Sequence, residues 1–228
     1  MCGRYATTRS AADLTALFEA VDETRGVSPR YNVAPTDPVP LVRRSRRVAG
    51  RVLSMGRWGL LPPWARDPRA GARMINARAE TLATSRAYAA AFASRRALVP
   101  ADGWYEWLRE GASRQAYFFT PADGTVLALA GVWTGWGSEG LLTFSVVTTD
   151  AVGEVAAVHD RMPLILPPER WEPWLTGPAE PSLLAPPGRE LIDALEIRPV
   201  GPAVGNVRND GPELVARIDP APLADRLW

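Results

Sequence analysis

Leu98-Val99-Pro100-Ala101-Asp102-Gly103-Trp104-Tyr105-Glu106-Trp107 opens the stretch whose pattern decides the fold class. Three further runs rich in β-branched and aromatic residues follow it: Tyr117–Phe119, Val126–Trp133 and Leu141–Val147. Short runs of this composition, broken by turn signals such as Asp123-Gly124, read as successive strands. In a strand over 104–107, Trp104 and Glu106 share one face while Tyr105 and Trp107 share the other.

Working outward, Ser10-Ala11-Ala12-Asp13 has the form of a capping box. Leu14, Leu17, Phe18 and Val21 follow at helical spacing, which predicts an amphipathic helix over residues 11–22. Residues 26–40, with Pro29, Pro35, Pro38 and Pro40, read as an extended loop. Residues 39–58 alternate apolar and basic residues and read as a hairpin with an Arg-rich solvent side. Pro62, Pro63 and Pro68 break the chain into a loop that displays Trp64. Thr84 is the expected N-cap of a helix over 85–95. Short helices are expected over Val152–Val158, after Pro167-Pro168 and over 189–195, followed by an extended tail. The class is α+β with a substantial antiparallel sheet.

At 24.8 kDa and 46% hydrophobic residues the chain can bury one good core, so a single domain over 1–228 is expected. No apolar run reaches the roughly 18 residues of a membrane span, and the N-terminus lacks the basic and apolar regions of a secretory signal. Cys2 is the only cysteine, so a disulfide framework is excluded and a cytoplasmic protein is expected. All 26 basic residues are Arg. Residues 1–114 hold 19 of them against 10 acidic residues, and residues 115–228 hold 7 against 15, which suggests one basic face. Without lysine, the only aliphatic primary amine is the α-amine, and any Schiff-base chemistry must use the chain start.

That start is Met1-Cys2. Removal of Met1 would place a thiol and an α-amine on one residue. On an aldehyde the amine forms an imine and the thiol closes a five-membered thiazolidine, with the high effective molarity of an intramolecular step. Glu106, flanked by aromatics, is a candidate proton shuttle, because a carboxyl beside indole in a partly dry cleft has its pKa raised. His159 is the only histidine and the natural acid–base candidate near neutrality. Asn76 offers an amide that could orient a nucleophile, Arg78 a fork for phosphate, and Trp64 a stacking platform. Taken singly, each of these residues has a plain structural reading as well. One His and one Cys exclude a His/Cys zinc site, and no carboxylate spacing recommends a magnesium site. No cofactor is expected.

Taken together, Met1-Cys2-Gly3-Arg4-Tyr5, Tyr31-Asn32-Val33-Ala34-Pro35, Trp58-Gly59-Leu60-Leu61-Pro62, Ile75-Asn76-Ala77-Arg78-Ala79-Glu80-Thr81, Pro100 to Trp107, His159-Asp160-Arg161-Met162-Pro163 and Gly205-Asn206-Val207-Arg208-Asn209 resemble, in order, the blocks of the SRAP (SOS response-associated peptidase) family of abasic-site-processing proteins. The resemblance spans residues 2–211 and leaves 212–228 as a C-terminal tail. It implies a single SRAP domain with an antiparallel barrel-like β-sheet core flanked by short helices, acting as a monomer on single-stranded DNA that contains abasic sites. It implies a DNA–protein crosslink through Cys2 after loss of Met1, with Asn76 holding that residue. By the same resemblance Glu106 is the acid–base carboxylate that opens the sugar and can reverse the link, and His159 assists at the sugar oxygen. Arg4, Arg78 and Arg86 fall at DNA-backbone positions and Trp64 at a stacking position, although Ala65 stands where some relatives carry a second Trp. The location implied is the cytoplasm, at the nucleoid when bound to DNA. Two other classes compete: an autoproteolytic peptidase or N-terminal nucleophile hydrolase using Cys2, and a non-catalytic reader of single strands using Arg and Trp alone.

Overall fold

A computed structural model describes residues 2–45, 47–111 and 113–219. In chain order its regular elements are β1 (Tyr5–Thr7), α1 (Ala11–Phe18), β2 (Ala20–Asp22), β3 (Arg30–Val33), β4 (Pro38–Arg44), β5 (Arg51–Trp58), β6 (Asn76–Arg78), α2 (Ala79–Leu82), α3 (Ala89–Ser94), β7 (Arg96–Ala101), β8 (Gly103–Glu110), β9 (Ser113–Pro121), β10 (Leu127–Trp136), β11 (Leu141–Asp150), β12 (Arg161–Pro163), α4 (Trp171–Thr176), α5 (Arg189–Asp193) and β13 (Leu195–Val200).

Five strands close a ring in the order β11-β10-β7-β4-β5, and parallel pairing of Thr143 and Phe144 with Arg57 and Trp58 joins its ends. The strands β12, β6 and β2 extend this barrel, and a second sheet runs β13-β9-β8-β1-β3. Period-two alternation sorts the barrel's side chains. Val39, Leu41, Ala97, Val99, Leu129, Phe144 and Val146 form one cluster, joined at one end by Cys2, Tyr5, Trp58 and Trp104. Their neighbours Val42, Leu98, Ala128, Ala130, Val132 and Val147 point outward, into a cluster with Leu14 and Phe18 of α1, Phe92 of α3 and Trp171 and Trp174 of α4. The interior is tight at Gly56, where an added Cβ would meet Leu41 Cδ2 at 2.3 Å and Leu142 Cδ2 at 2.6 Å.

The α+β barrel agrees with the expectation, and several element boundaries do not. The capping box at Ser10 and Asp13 forms, but α1 stops at Phe18, because Glu19 turns left-handed (φ 49°) and Ala20–Asp22 instead pair parallel to β5. The loop expected over 26–40 holds β3, which pairs with β1. Thr84 caps no helix. Its hydroxyl donates to the Thr81 carbonyl, and α3 begins only at Ala89. The short helix expected over Val152–Val158 forms, as a 3-10 helix over Gly153–Ala157. The turn expected at Asp123-Gly124 forms, with Gly124 N donating to the Pro121 carbonyl at 3.0 Å, and it carries the chain from β9 of the second sheet to β10 of the barrel. The expected tail begins with a 3-10 turn at Pro212–Val215 that buries Leu214, and Arg217 bridges to Val200; residues 220–228 lie outside the described ones.

The Arg-rich hairpin is partly neutralised. Arg43 pairs with Glu23 at 3.1 Å, and Arg51 and Arg44 reach Glu172 at 2.9 and 3.9 Å. Glu172 comes from the acidic half of the chain, so folding interleaves the two halves and cancels part of the basic face expected from the first.

Arg96 ties two helices to the barrel. It is 4% exposed and donates to the carbonyls of Trp174 and Gly177 at the end of α4 and to that of Phe92 in α3 (2.6 Å). Carbonyls at a helix C-terminus carry partial negative charge, which a buried guanidinium satisfies. Arg96→Ala would strand these acceptors and open a cavity. The expected loss is about 3 kcal/mol, or about 6–12 °C in thermal midpoint by calorimetry; a drop below roughly 2 °C would contradict this role.

Candidate functional site

The start of the chain is tethered inside the fold. Asn76 Nδ2 donates to the Cys2 carbonyl at 2.7 Å. Asn76 is held on a three-residue strand parallel to β11, opposite Val146. The preceding carbonyl, of Ile75, accepts from Val146 N and from Trp58 Nε1, both at 2.9 Å, and Tyr88 Oη donates to the Asn76 carbonyl at 3.1 Å. The sequence leads one to expect Cys2 as a nucleophile displayed at the chain end, and here the structure differs. The side chain is fully buried among Tyr5, Trp58 and Trp104, with Sγ 4.0 Å from the Arg4 carbonyl. Burial, with the charge of Glu106 as the next cause, pushes the thiol well above its ordinary pKa, so the sulfur is kept protonated.

Glu106 lies on β8 opposite Tyr117 and is 2% exposed. Burial raises its carboxyl from 4.5 to about 7. The neighbouring Trp104 indole stacks on Phe119 at 4.8 Å, so this wall of the site is rigid. His159 follows the 153–157 turn, and its Nδ1 accepts from Arg161 N at 2.9 Å. Asp160 Oδ1 also lies 2.8 Å from Nδ1, a contact that is a hydrogen bond only when Nδ1 carries a proton, whereas the Arg161 N–H requires Nδ1 to accept. Burial lowers the His159 pKa, and Asp160 is 87% exposed, so the neutral ring with its proton on Nε2 is the form this geometry favours. Arg161 anchors the segment: Nη1 reaches Glu80 at 2.8 Å and Asp150 at 2.5 Å, while Nη2 reaches Glu80 at 3.0 Å and the Thr148 carbonyl at 2.8 Å. Glu80 belongs to α2, which follows β6 directly, so the histidine segment and the Asn76 strand are fastened to each other.

Gly3, Arg4, Glu106 and His159 line one cavity of about 590 Å³. Arg4 is aimed from a latch that sequence reading left without a role. Its Nη1 donates to Asn32 Oδ1 at 2.8 Å and to the Val204 carbonyl at 2.9 Å. Asn32 is fully buried, and its Nδ2 donates to the carbonyls of Val204, Asn206 and Asn209 at 3.2, 3.1 and 2.9 Å. Asp210 accepts from the backbone N–H of Tyr31 (2.6 Å) and Asn32 (3.1 Å) and from Arg30 Nε (2.5 Å). The blocks at Tyr31–Pro35 and Gly205–Asn209 are therefore two halves of one support. Only the repeated polar residues in those blocks hinted at it.

Trp64, Arg86 and Arg78 do not line this cavity. Trp64 is 49% exposed and carries the Arg86 guanidinium over its ring at 5.0 Å. Its loop is held by Trp136 Nε1 donating to the Ala65 carbonyl at 2.9 Å and by Gly59, whose φ of 125° lets the backbone pass against Gly71. Arg78 is exposed at the start of α2. Among the described residues no three His, Cys, Asp or Glu side chains come together as a metal site, and no helix is long and apolar enough to cross a membrane.

A small closed barrel thus brings Gly3 and Arg4 of the chain start, one raised carboxyl and one imidazole to a single cavity, and Cys2 and Asn76 are not among its lining residues. The chain matches the SOS response associated peptidase (SRAP) family over residues 1–207 and belongs to that family. It is 36% identical over 231 residues to the abasic site processing protein YedK of Escherichia coli, covering 96% of this chain and 100% of that one. Identity to YoqW of Bacillus subtilis, also named an abasic site processing protein, is 33% over 227 residues, with 94% and 99% covered. For the Xenopus tropicalis abasic site processing protein HMCES it is 29% over 263 residues, with 96% and 78% covered. A crystal structure from Bacteroides thetaiotaomicron shares the fold at a TM-score of 0.80 and 23% identity, covering 95% of this chain and 100% of that one. One from Bordetella bronchiseptica does so at 0.71 and 26%, covering 88% and 100%.

The raised carboxyl sets a pH dependence. Folded Glu106 keeps its proton up to about pH 7, whereas the ordinary carboxyl loses it near 4.5, so its contribution weakens the fold progressively as pH rises through that window. Glu106→Gln should therefore match wild type at pH 4 and exceed it by up to about 3 kcal/mol at pH 8, read by denaturant unfolding. Parallel pH profiles for the two proteins would contradict the shift.

Proposed function

We propose that this chain processes abasic sites in single-stranded DNA by linking the ring-opened sugar covalently to Cys2 after Met1 is removed. The observation that carries the reading is that Glu106 and His159 line one cavity with Gly3 and Arg4, while the tethered Cys2 lies close enough for the Glu106 charge to act on its thiol, in a chain related to proteins named for abasic site processing. Ring opening breaks the bond from C1′ to the ring oxygen: one proton passes to that oxygen from the Glu106 carboxyl, with His159 Nε2–H hydrogen-bonding it, and the anomeric hydroxyl returns its own proton to solvent as the aldehyde forms. The freed amine of Cys2 adds to the C1′ aldehyde and expels water to give an imine. The thiol adds to the imine carbon, and its proton passes to the imine nitrogen, closing a thiazolidine. A carboxyl near pKa 7 can carry that proton in either direction, which makes the link reversible through Glu106. The order, amine first, suits a thiol held protonated by burial. The product would shield the lesion during replication in the SOS response, and the protein would act as a cytoplasmic monomer, at the nucleoid when on DNA.

Arg4 at the cavity, with Arg78, Arg86 and Trp64 outside it, supplies a sequence-independent grip on the strand through phosphate contacts and stacking. A peptidase acting on other chains would need an exposed thiolate, and the buried Sγ weighs against it; self-removal of Met1 would be its one peptide-bond event.

Cys2→Ala should abolish the heat-stable adduct that the wild type forms with an abasic single strand, resolved on a denaturing gel; equal adduct from both proteins would overturn the reading. Intact mass of the active protein should be lower by one methionine residue. Glu106→Gln should slow adduct formation or release by roughly tenfold to ten-thousandfold, and His159→Ala should slow formation less. An unchanged rate in Glu106→Gln would remove the carboxyl from the chemistry.

A further inference from the structure

Three arginines face the cavity beside Glu106, and the proposed reaction uses only one of them. Arg109 on β8 and Arg114 on β9 stand directly opposite each other in the strand register, and both line the cavity with Arg4. Like charges in that position repel and cost stability on their own. The Arg114 guanidinium is held over the Trp107 ring at 4.5 Å. Arg4 registers the crowding, since burial first and the Arg114 charge among the further causes lower its basicity. Among the described residues neither Arg109 nor Arg114 forms an ion pair with a carboxylate. The trio is a ready seat for an anion.

Topology shows what lies next to that seat. β1 pairs with β8 only at Gly103 and Trp104, so from Glu106 onward the β8 edge turned away from β9 is uncovered among the described residues. The cavity follows this edge and is lined from both sides of the strand. Alternation places Trp107 and Arg109 on one side, with Arg114 across from Arg109, and Glu106 on the other. We infer that Arg4, Arg109 and Arg114 seat a backbone phosphate next to the reacting nucleotide, so that the phosphate lies on one side of the β8 edge while the sugar faces Glu106 and His159 on the other. This rests on the proposed function and assigns Arg109 and Arg114 to the DNA path. Planar guanidinium forks bind phosphate oxygens in pairs, and Trp107 beneath Arg114 keeps its fork oriented. The seat fixes where along the strand the lesion must sit for the chemistry to begin.

The probe is a short single strand carrying a tetrahydrofuran abasic analogue, which has no aldehyde and so reports binding without crosslinking. One linkage at a time is replaced by a neutral methylphosphonate. For the full-length wild type, one position next to the analogue should cost about tenfold or more in affinity, the worth of a charge-assisted hydrogen bond. In Arg109→Gln/Arg114→Gln, where only Arg4 of the seat remains, the same replacement should cost less than about threefold, and the slope of log K against log salt should fall by up to about 0.7 for the phosphate contact weakened. A strand ending at that position in a terminal phosphate should bind like the intact diester, and one ending in a hydroxyl like the methylphosphonate. Arg109→Gln should unfold at the same or a higher temperature, because it removes a repulsion. A uniform methylphosphonate effect in wild type, the same positional effect in the double variant, or a clear loss of stability in Arg109→Gln would overturn the seat. Heat-stable adduct on a true abasic strand tests the crosslinking reading separately: its absence with the positional effect intact would sink that reading and leave the phosphate seat standing.

Discussion

The hydrogen bond from Asn76 Nδ2 to the Cys2 carbonyl is the constraint on which the site depends. A chain terminus ordinarily frays, because few contacts repay the entropy of ordering it. Here the donor is mounted on a strand paired to β11, the sulfur is packed against Trp58 and Trp104, and β1 begins three residues later. The terminus is thus built into the end of the barrel, and a reagent made of a single residue acquires a fixed position relative to side chains far away in sequence.

Burial tunes three groups toward their uncharged forms. It raises the Cys2 thiol and the Glu106 carboxyl and lowers the His159 imidazole. Two causes shape the neighbourhood of these groups together: the aromatic wall of Trp104 and Phe119 removes water, and Arg161 holds the imidazole segment while its charge adds to the burial that disfavours the imidazolium. The guanidinium groups of Arg109 and Arg114 stand on the other side of β8, facing the same cavity. The division of one strand edge into a neutral reactive side and a cationic side follows from β alternation and from the shortness of β1.

Elsewhere the arginines do structural work. Arg96 satisfies helix-end carbonyls, Arg30 fastens Asp37 and Asp210, and Arg43 and Arg51 bind Glu23 and Glu172. Several of these partners come from the other half of the chain, so the charge imbalance between halves is a poor guide to the surface. Which arginine meets a carboxylate depends on strand order, and strand order is a tertiary property.

The amino-acid sequence determined the strand-rich α+β class, the hairpin over 39–58, the capping box of α1, the exposed Trp64 and the identity of the chemical groups, because alternation, capping and the uniqueness of Cys2 and His159 are local properties. The helices α1 and α3 are shorter than their periodicity predicts, because pairing of Ala20–Asp22 with β5 and the turns before Ala89 outweigh helical periodicity. Only the tertiary structure decided that Asn32 and Asp210 support Arg4, that Arg161 anchors His159, that Arg109 faces Arg114, and that the thiol is buried instead of displayed. Each of these depends on contacts between segments that closure of the barrel brings together, and no periodicity within a segment can encode its partner.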